Sequence, residues 1–589
     1  MAPIATTQPK NHNRSTSTYQ NDSSHETRKG NGNENGMSIS MQSLPQARKT
    51  KQQDQHEQNP PSIPSEDLQP RIRILTHNIW ALKHISPYRP ERLTHIAHLI
   101  ATSPNPPDII CLQECWTYPN YALLRRLLSP RYRHGKFYHS GCFGGGLVIL
   151  SKWRIVETEM VPYALNGRPS AFWRGDWFVG KGVAVARIAL PRKFCRRDDD
   201  AAQARYLEVF NTHLHAPYNE GKEGKDTYSV HRVAQAWQIA RMMRHALERG
   251  NLVVACGDFN MSPGGIECAV IQHQTRGLMR DVWQERFPDS SWGAWIEERE
   301  RERLRELSGK GGLGKSRTGP PTVEETLLKH GHTCDSVFNT WRWEKRAQRD
   351  LLKKGIDRVV GLHEEDPRAK RLDYVFFGDG SNPRGRVGSR DGNGEWTVKE
   401  ASIRMTERHP DLKCSLSDHF AVETEIAWTT TPGRIRDEQN GNTITPIDKT
   451  LSSYPLDIPK ILTLLRRRRC IHFLASIVIT LSCFVAVRFS PANYVSCILL
   501  VLSSLGLMAG TVDGLIGLLF GGWELRALKE WEGEVRRGIS GGMGMEMGLE
   551  GGGVGNHGLD GVGDEDGGGG WQFDGGEEVE MGRVKDWWS

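Results

Sequence analysis

Leu252-Val253-Val254-Ala255-Cys256-Gly257-Asp258-Phe259-Asn260 is a short run of branched and small apolar residues that stops at a glycine and then sets two polar side chains two residues apart. Its length, its composition and the closing glycine read as a buried β-strand. On an extended segment Asp258 and Asn260 share one face, the first able to hold a water and the second to donate a hydrogen bond. Outward from this run, the chain between Arg71 and Trp428 repeats one grammar: an apolar run, a polar stop, then a loop or an amphipathic stretch. Candidate strands cover 72–76, 109–112, 147–150, 182–190, 206–211, 252–256, 371–376 and 419–426, and candidate helices cover 90–100, 121–128 and 229–248. Several strands follow one another through short loops, as between 182 and 211, which predicts a mixed two-sheet sandwich with flanking helices over a doubly wound parallel sheet. The polar stops would then meet at one edge of the sandwich.

The chain has 589 residues, more than one ordinary core holds, so a large domain with appendages is expected. Residues 1–69 are rich in Asn, Gln, Ser and charge and read as a disordered tail. No basic and then apolar stretch follows Met1, which argues against a cleaved secretory signal and for a cytosolic domain over 70–428. The eleven cysteines show no zinc-site spacing and read as free thiols. A net charge of +7 is modest for this length, and its basic clusters are local, unlike the continuous face of a nucleic-acid binder. Two charged stretches, 193–203 and 297–325, read as solvated insertions.

A linker over 429–465 leads to two apolar runs, 470–488 and 494–520, each long enough to cross a bilayer. Together, over 466–522, they predict a transmembrane hairpin. Arg466, Arg467, Arg468 and Arg469 precede it and Arg526 and Lys529 follow it, while its loop holds Arg488, so both termini are expected in the cytosol. Asp513 lies inside the second run among Gly510, Gly514 and Gly517, where a functional and a structural role stand equally open. Residues 523–589, Gly-rich and acidic beyond Gly538, read as a mostly disordered tail.

The chemistry sits at the strand ends. His77-Asn78-Ile79-Trp80 follows the first strand and Gln113-Glu114-Cys115-Trp116 the second, so an amide and a carboxylate lie side by side, a pairing suited to a hard cation. Asn211-Thr212-His213-Leu214-His215 ends another strand, and Ser417-Asp418-His419 opens the last. His419 could act as a base if a carboxylate fixed its tautomer, and Asp373 is the natural candidate. Each fragment alone is weak; their order at successive strand ends is not.

Asn78, Glu114, His213, Asp258 with Asn260, Asp373, and Asp418 with His419 resemble, in order, the motif series of the endonuclease/exonuclease/phosphatase superfamily. Within it the chain is most similar to the neutral sphingomyelinase and inositol phosphosphingolipid phospholipase C branch. Three stretches carry this: Asn211 to Ala216, Gly331-His332-Thr333-Cys334-Asp335-Ser336 with Asn339-Thr340-Trp341, and Asp176-Trp177-Phe178-Val179-Gly180-Lys181-Gly182. The last is not GxxxxGK[ST], so no nucleotide is inferred.

The resemblance implies an α+β fold, a four-layered, deoxyribonuclease-like αββα sandwich, and Mg²⁺-dependent hydrolysis of a phosphate ester to ceramide and a phosphorylated head group. It implies Glu114 as principal Mg²⁺ ligand with Asn78 beside it, and Asp258 and His419 activating water, which of them takes the proton being open. Asn260 would stabilise the pentavalent phosphorus, Asp373 would steady His419, and His213 would protonate the leaving alkoxide or donate to a phosphoryl oxygen. Asp176 and Lys181 belong to the active-site loop, while His215 reads better as a packing histidine. The branch often carries a C-terminal anchor and responds to anionic phospholipids, which Arg466 to Arg469 would contact, in the endoplasmic reticulum or the mitochondrial or plasma membrane. A nuclease of the same superfamily and a catalytically dead membrane scaffold are the competing readings, and choline and inositol head groups stay equally open.

Overall fold

Alternation along the central strands sorts their side chains between two kinds of core, and this sorting decides where the polar strand ends go. The computed structural model describes residues 70–169, 171, 175–194, 205–220, 225–226, 228–288, 290, 320–381, 395–429 and 458–547. The tail over 1–69, nearly all of the two charged insertions, most of the linker and the chain beyond 547 lie outside these residues.

In chain order the first strands are β1 (Arg71–Asn78), β2 (Ile109–Gln113), β3 (His134–Tyr138), β4 (Leu147–Ser151), β5 (Ile155–Pro162), β6 (Gly182–Ala189) and β7 (Tyr206–His213). They continue as β8 (Asn219–Glu220), β9 (Lys225–Asp226), β10 (Leu252–Asp258), β11 (Arg280–Asp281), β12 (Asp373–Asp379), β13 (Glu395–Arg404) and β14 (Ala421–Thr429). One six-stranded sheet has the order β13-β14-β1-β2-β4-β3 and the other β11-β12-β10-β7-β6-β5, while β8 and β9 form a small hairpin. Each large sheet is mixed: β1 runs parallel to β2 and β10 parallel to β7, with antiparallel partners around them.

Odd and even positions separate cleanly. Ile72 and Ile74 of β1, Cys111 of β2, Val209 of β7, Val254 of β10 and Val375 of β12 meet between the sheets. Their alternates face outward. Helices α1 (Arg89–Thr102) and α2 (Tyr118–Leu128) cover the first sheet, with Leu93, Ile96 and Leu124 against Leu75 and Ile110. Helices α3 (Ser229–Glu248) and α4 (Ile266–Gln274) cover the second, with Val233, Trp237 and Ile271 against Val253 and Phe376. The four layers are therefore αββα, as the resemblance implied. Short helices α5 (Val282–Arg286), α6 (Val323–Leu328) and α7 (Lys345–Lys354) fill the path to β12. Asp281 caps α5, and Thr322 with Glu325 forms a capping box on α6.

Gly257 shows how tightly the second sheet closes beneath the site. Its φ is 141°, and a Cβ there would stand 1.9 Å from the Thr212 carbonyl oxygen on β7. Gly257→Ala is expected to lose at least ~2 kcal/mol of stability through backbone strain and overpacking. Urea denaturation checks this, and a change below the fitting error would contradict the packing described.

At the C-terminal end, α8 (Ile458–Arg488) and α9 (Asn493–Leu515) form an antiparallel pair, followed by a π-helical turn over Ile516–Phe520 and by α10 (Gly521–Met547). Within Arg466–Arg488 and within Asn493–Val535 lies an 18-residue stretch long and apolar enough to cross a membrane, with mean hydropathy 2.4 and 2.1. Leu474, Val478, Phe484 and Leu505 are exposed, a surface that suits lipid rather than water. Gly510 and Gly514 let the pair approach closely, since a Cβ would meet Ser476 Oγ at 1.9 Å and the Phe473 ring at 2.8 Å. Asp513 pairs with Arg469 and, at 3.0 Å, with His472 Nδ1, so its carboxylate ties the two helices together.

Beyond residue 522 the structure differs from the expected tail. α10 continues to Met547, and Leu528, Trp531 and Val535, spaced three and four apart, join the core beside Trp237 and Met243 of α3. Each such side chain contributes roughly 1.5–3 kcal/mol when buried. Glu524 is fully buried: the Gly167 N–H donates to its Oε1 at 3.1 Å, and His231 Nε2 lies 3.2 Å from the same oxygen. Arg241 of α3 pairs with Glu534 at 2.6 Å. The glycines that follow masked this apolar stripe in a reading by composition.

Candidate active site

The polar strand ends are the continuation of the inter-sheet face. Two residues past Ile74, Cys111, Val209 and Val254, the same alternation brings Thr76, Gln113, Asn211 and Cys256, and one step further Asn78, His213 and Asp258; on the antiparallel β12 it brings Asp373 two residues before Val375. Register aligns them. Asp258 of β10 sits between His213 of β7 and Asp373 of β12 in one row, and Asn78 of β1 faces Gln113 of β2. Gln113 Nε2 crosses between the sheets to Asn211 Oδ1 at 2.7 Å and also donates to Thr76 Oγ1 at 3.0 Å, giving the site a buried polar floor.

Above that floor Asn78 Nδ2 donates to Glu114 Oε1 at 3.0 Å and to Asp258 Oδ2 at 3.1 Å. Its amide oxygen accepts from the Trp80 N–H at 3.1 Å. In this pose Asn78 links the two carboxylates. His213 Nε2 and His419 Nε2 lie 3.5 and 3.9 Å from Asp258 Oδ2. His419 Nδ1 is 2.8 Å from Asp373 Oδ2, the tautomer-fixing contact expected between them. Asp258, Asp373 and His419 make a buried group whose ligand atoms lie within 4.8 Å and could hold a metal ion. Ser417 Oγ donates to the Asn78 carbonyl at 2.6 Å and lies 3.3 Å from Asp418 Oδ1. Asn260, at φ 48°, donates to the Leu214 carbonyl at 3.1 Å while its N–H meets Asp258 Oδ1 at 3.0 Å.

Negative charge is concentrated here. Burial and the nearby Asp418 push the Glu114 carboxyl up to about 7. Asp258 is pushed up to about 6 by burial, which outweighs the pull of His419, and burial also raises Asp418. His419 goes the other way from an ordinary buried histidine. Burial disfavours its cation, yet Cys334, Asp373 and Asp258 around it hold it well above the usual imidazole range. His213 is held well below that range by burial and Lys181, so it is neutral.

The loop residues form a separate cluster at the edge of this centre. Lys181 Nζ lies 3.1 Å from Asp176 Oδ1 and donates to the Leu214 carbonyl at 2.8 Å, next to His213. Burial opposes ionisation of Asp176, but Lys181, His215 and the Tyr218 hydroxyl bring it down to about 2. His215 stacks on Tyr228 at 4.2 Å and holds the Ala216 carbonyl, which is a packing arrangement. Trp177 of this loop meets Phe520 at the end of the apolar helices, with ring centroids 4.7 Å apart.

Three contributors were given no role in the sequence reading. Arg92, fully buried on α1, donates to the carbonyls of Leu416, Trp80 and Pro87 at 2.6–2.9 Å and so ties the loop before Asp418 to the loop after Asn78. A lone basic residue on an amphipathic helix looks solvent-facing, so the sequence carries no signal for it. Thr333 Oγ1 accepts from the Asp373 N–H at 3.3 Å, and the backbone of Cys334 bridges to His419. Their place in the 331–341 signature was the available hint.

The profile of the Endonuclease/Exonuclease/phosphatase family matches residues 75–419, and the chain belongs to that family. It is 35% identical to the inositol phosphosphingolipids phospholipase C of Schizosaccharomyces pombe, across 79% of this chain and 94% of that protein. Identity to the protein of the same name from Saccharomyces cerevisiae is 32%, across 79% and 89%. Human sphingomyelin phosphodiesterase 2 is 34% identical over a shorter stretch, 35% of this chain and 44% of that protein. The branch suggested by the motifs is thus borne out: the relatives are inositol phosphosphingolipid phospholipases C and neutral sphingomyelinases.

Proposed function

We infer that this protein is a membrane-anchored, Mg²⁺-dependent phospholipase C that hydrolyses phosphosphingolipids to ceramide and a phosphorylated head group. The observation that carries this reading is the row His213–Asp258–Asp373 with His419 on Asp373, set opposite Glu114 across one amide. The donor set fits a hard divalent cation. Buried Asp258 and half-buried Glu114 and Asp418 are oxygen donors whose mutual repulsion is poorly offset, and Asp373 Oδ1 has no partner among the described residues. His419 Nδ1 is already committed to Asp373, so Glu114 with Asp258 is the better cradle than the Asp258, Asp373 and His419 group. When bound, the ion neutralises a phosphoryl oxygen and the charge that develops on it.

The chain's own groups do the rest. Asp373 fixes Nδ1 of His419, leaving Nε2 toward Asp258, and a water between these two loses its proton to that pair as it attacks phosphorus. Neutral His213 hydrogen bonds through Nε2–H to a phosphoryl oxygen or to the departing ceramide oxygen, which leaves as the alcohol by taking up the proton that the pair received from the water. Asn260, held by Leu214 and Asp258, donates to the crowded phosphorus centre.

Labelled head-group release from micelles of sphingomyelin and of inositol phosphoceramide, with and without Mg²⁺ and phosphatidylserine, tests the reading. Release of water-soluble phosphate ester only with Mg²⁺ is expected. Cleavage of abasic duplex DNA with both lipids left intact would replace it with a nuclease. Acid also has a stated effect. Glu114 in the metal-free site protonates as pH falls through about 7, and only its ionised form binds the cation. Apparent Mg²⁺ affinity, read by calorimetry, should therefore fall roughly tenfold per pH unit below 7, and an affinity flat from pH 8 to 6 would remove Glu114 from the ligand set.

A further inference from the structure

The rim beside His419 carries charges that the reaction leaves unused. Asp335 takes a left-handed conformation, φ 61°, which Asp adopts more readily than most side chains. Its carboxylate is gripped from both sides, by Arg342 Nε at 2.9 Å and Lys370 Nζ at 2.8 Å. Cys334 Sγ lies 3.5 Å from Asp335 Oδ1, and the backbone of Cys334 bridges to both Lys370 and His419, so one residue joins this ion triplet to the segment that carries the reacting imidazole. The side chains of Arg342 and Lys370 are 44% and 55% exposed, whereas that of Asp335 is 14% exposed. The Nη nitrogens of Arg342 have no partner among the described residues, and the Lys370 ammonium keeps donors beyond the one it gives to Asp335.

These are the wrong groups for a quaternary ammonium. A phosphocholine head group would bring its cation toward two fixed cations, and the nearby aromatic faces are already served. Trp341, beside Arg342, packs on Trp80 with centroids 5.1 Å apart, and the Arg92 guanidinium lies 5.2 and 5.8 Å from the two rings. A ring of hydroxyls, bare or carrying further phosphate, finds donors on Arg342 and Lys370 and an acceptor on Asp335.

Resting on the function proposed above, we propose that Arg342 and Lys370, positioned by Asp335, form a head-group subsite that selects inositol phosphate over phosphocholine. The test compares kcat/KM on inositol phosphoceramide and on sphingomyelin in identical mixed micelles, for the full-length wild type and the Arg342→Gln/Lys370→Gln double variant. The ratio of the two values cancels any loss of folded protein. Wild type is expected to favour the inositol lipid, and the double variant to shift the ratio toward sphingomyelin by at least about tenfold, carried by KM. Should the double variant fail to fold, Lys370→Gln alone, on an exposed side chain, carries the same test with a smaller shift. A wild type that prefers sphingomyelin, or a ratio unmoved in the variants while both lipids are cleaved, overturns the subsite and leaves the phospholipase reading standing. Cleavage of neither lipid by wild type would instead overturn the phospholipase reading, and the subsite with it.

Discussion

Glu114→Gln is expected to cut kcat/KM for phosphosphingolipid by about a thousandfold, ~4 kcal/mol of transition-state stabilisation, while the metal-free protein melts no lower than wild type. The two halves of this expectation have one origin. Glu114 sits at φ 58° in a pocket where burial and Asp418 press its carboxyl up to about 7, so its charge is a burden to the fold in the absence of a cation. The amide keeps the shape and removes that burden. It also removes the anionic oxygen that would hold the ion, and Asn78, whose own oxygen is turned to the Trp80 N–H, is no substitute in this pose. Turnover within tenfold of wild type would refute the role given to Glu114. A large drop in melting temperature would show the loss to be structural.

His419→Ala should cost between about a hundredfold and ten-thousandfold in kcat, the range spanned by a positioned acid–base group. Asp373→Asn should reproduce part of it, because an amide opposite Nδ1 no longer fixes the tautomer or supports the cation. The acid limb of the pH–rate profile separates these roles from simple loss of fold. Asp373 and Asp258 hold His419 well above its usual range, so weakening that support moves its titration to lower pH, and kcat/KM in Asp373→Asn should reach its plateau earlier on the pH axis than in wild type. An unshifted profile with reduced amplitude would count against the pairing. Neither substitution touches the apolar helices, so membrane retention should be unchanged.

The central strands announced themselves because both of their faces are covered. Residues 252–256 and 206–211 are apolar runs that end at a polar stop, and the two-residue alternation carried that stop to one rim of the sandwich. The edge strands did not. β3, β5 and β13 pair on one side only and carry polar residues among few buried ones, so they look like loops to any search for apolar runs. The candidate site was legible residue by residue, since Asn78, Glu114, His213, Asp258, Asp373 and His419 all converge. What sequence could not show was the support beneath them. Gln113 reaching across to Asn211 and Arg92 capped by backbone carbonyls are contacts between elements far apart in the chain, with no local periodicity to betray them.

The burial of Glu524 against Gly167 and His231 changes how the enzyme would search for its substrate. A domain on a flexible leash samples a volume, and its chance of meeting a lipid depends on leash length. Here the helix that leaves the apolar pair is itself part of the catalytic core, through Leu528, Trp531 and Val535. With the pair in a bilayer, the site travels at one fixed height and one fixed tilt, and its search has two dimensions instead of three. Turnover would then follow the mole fraction of substrate in the surface, and lengthening the chain between β14 and α8 would leave it untouched.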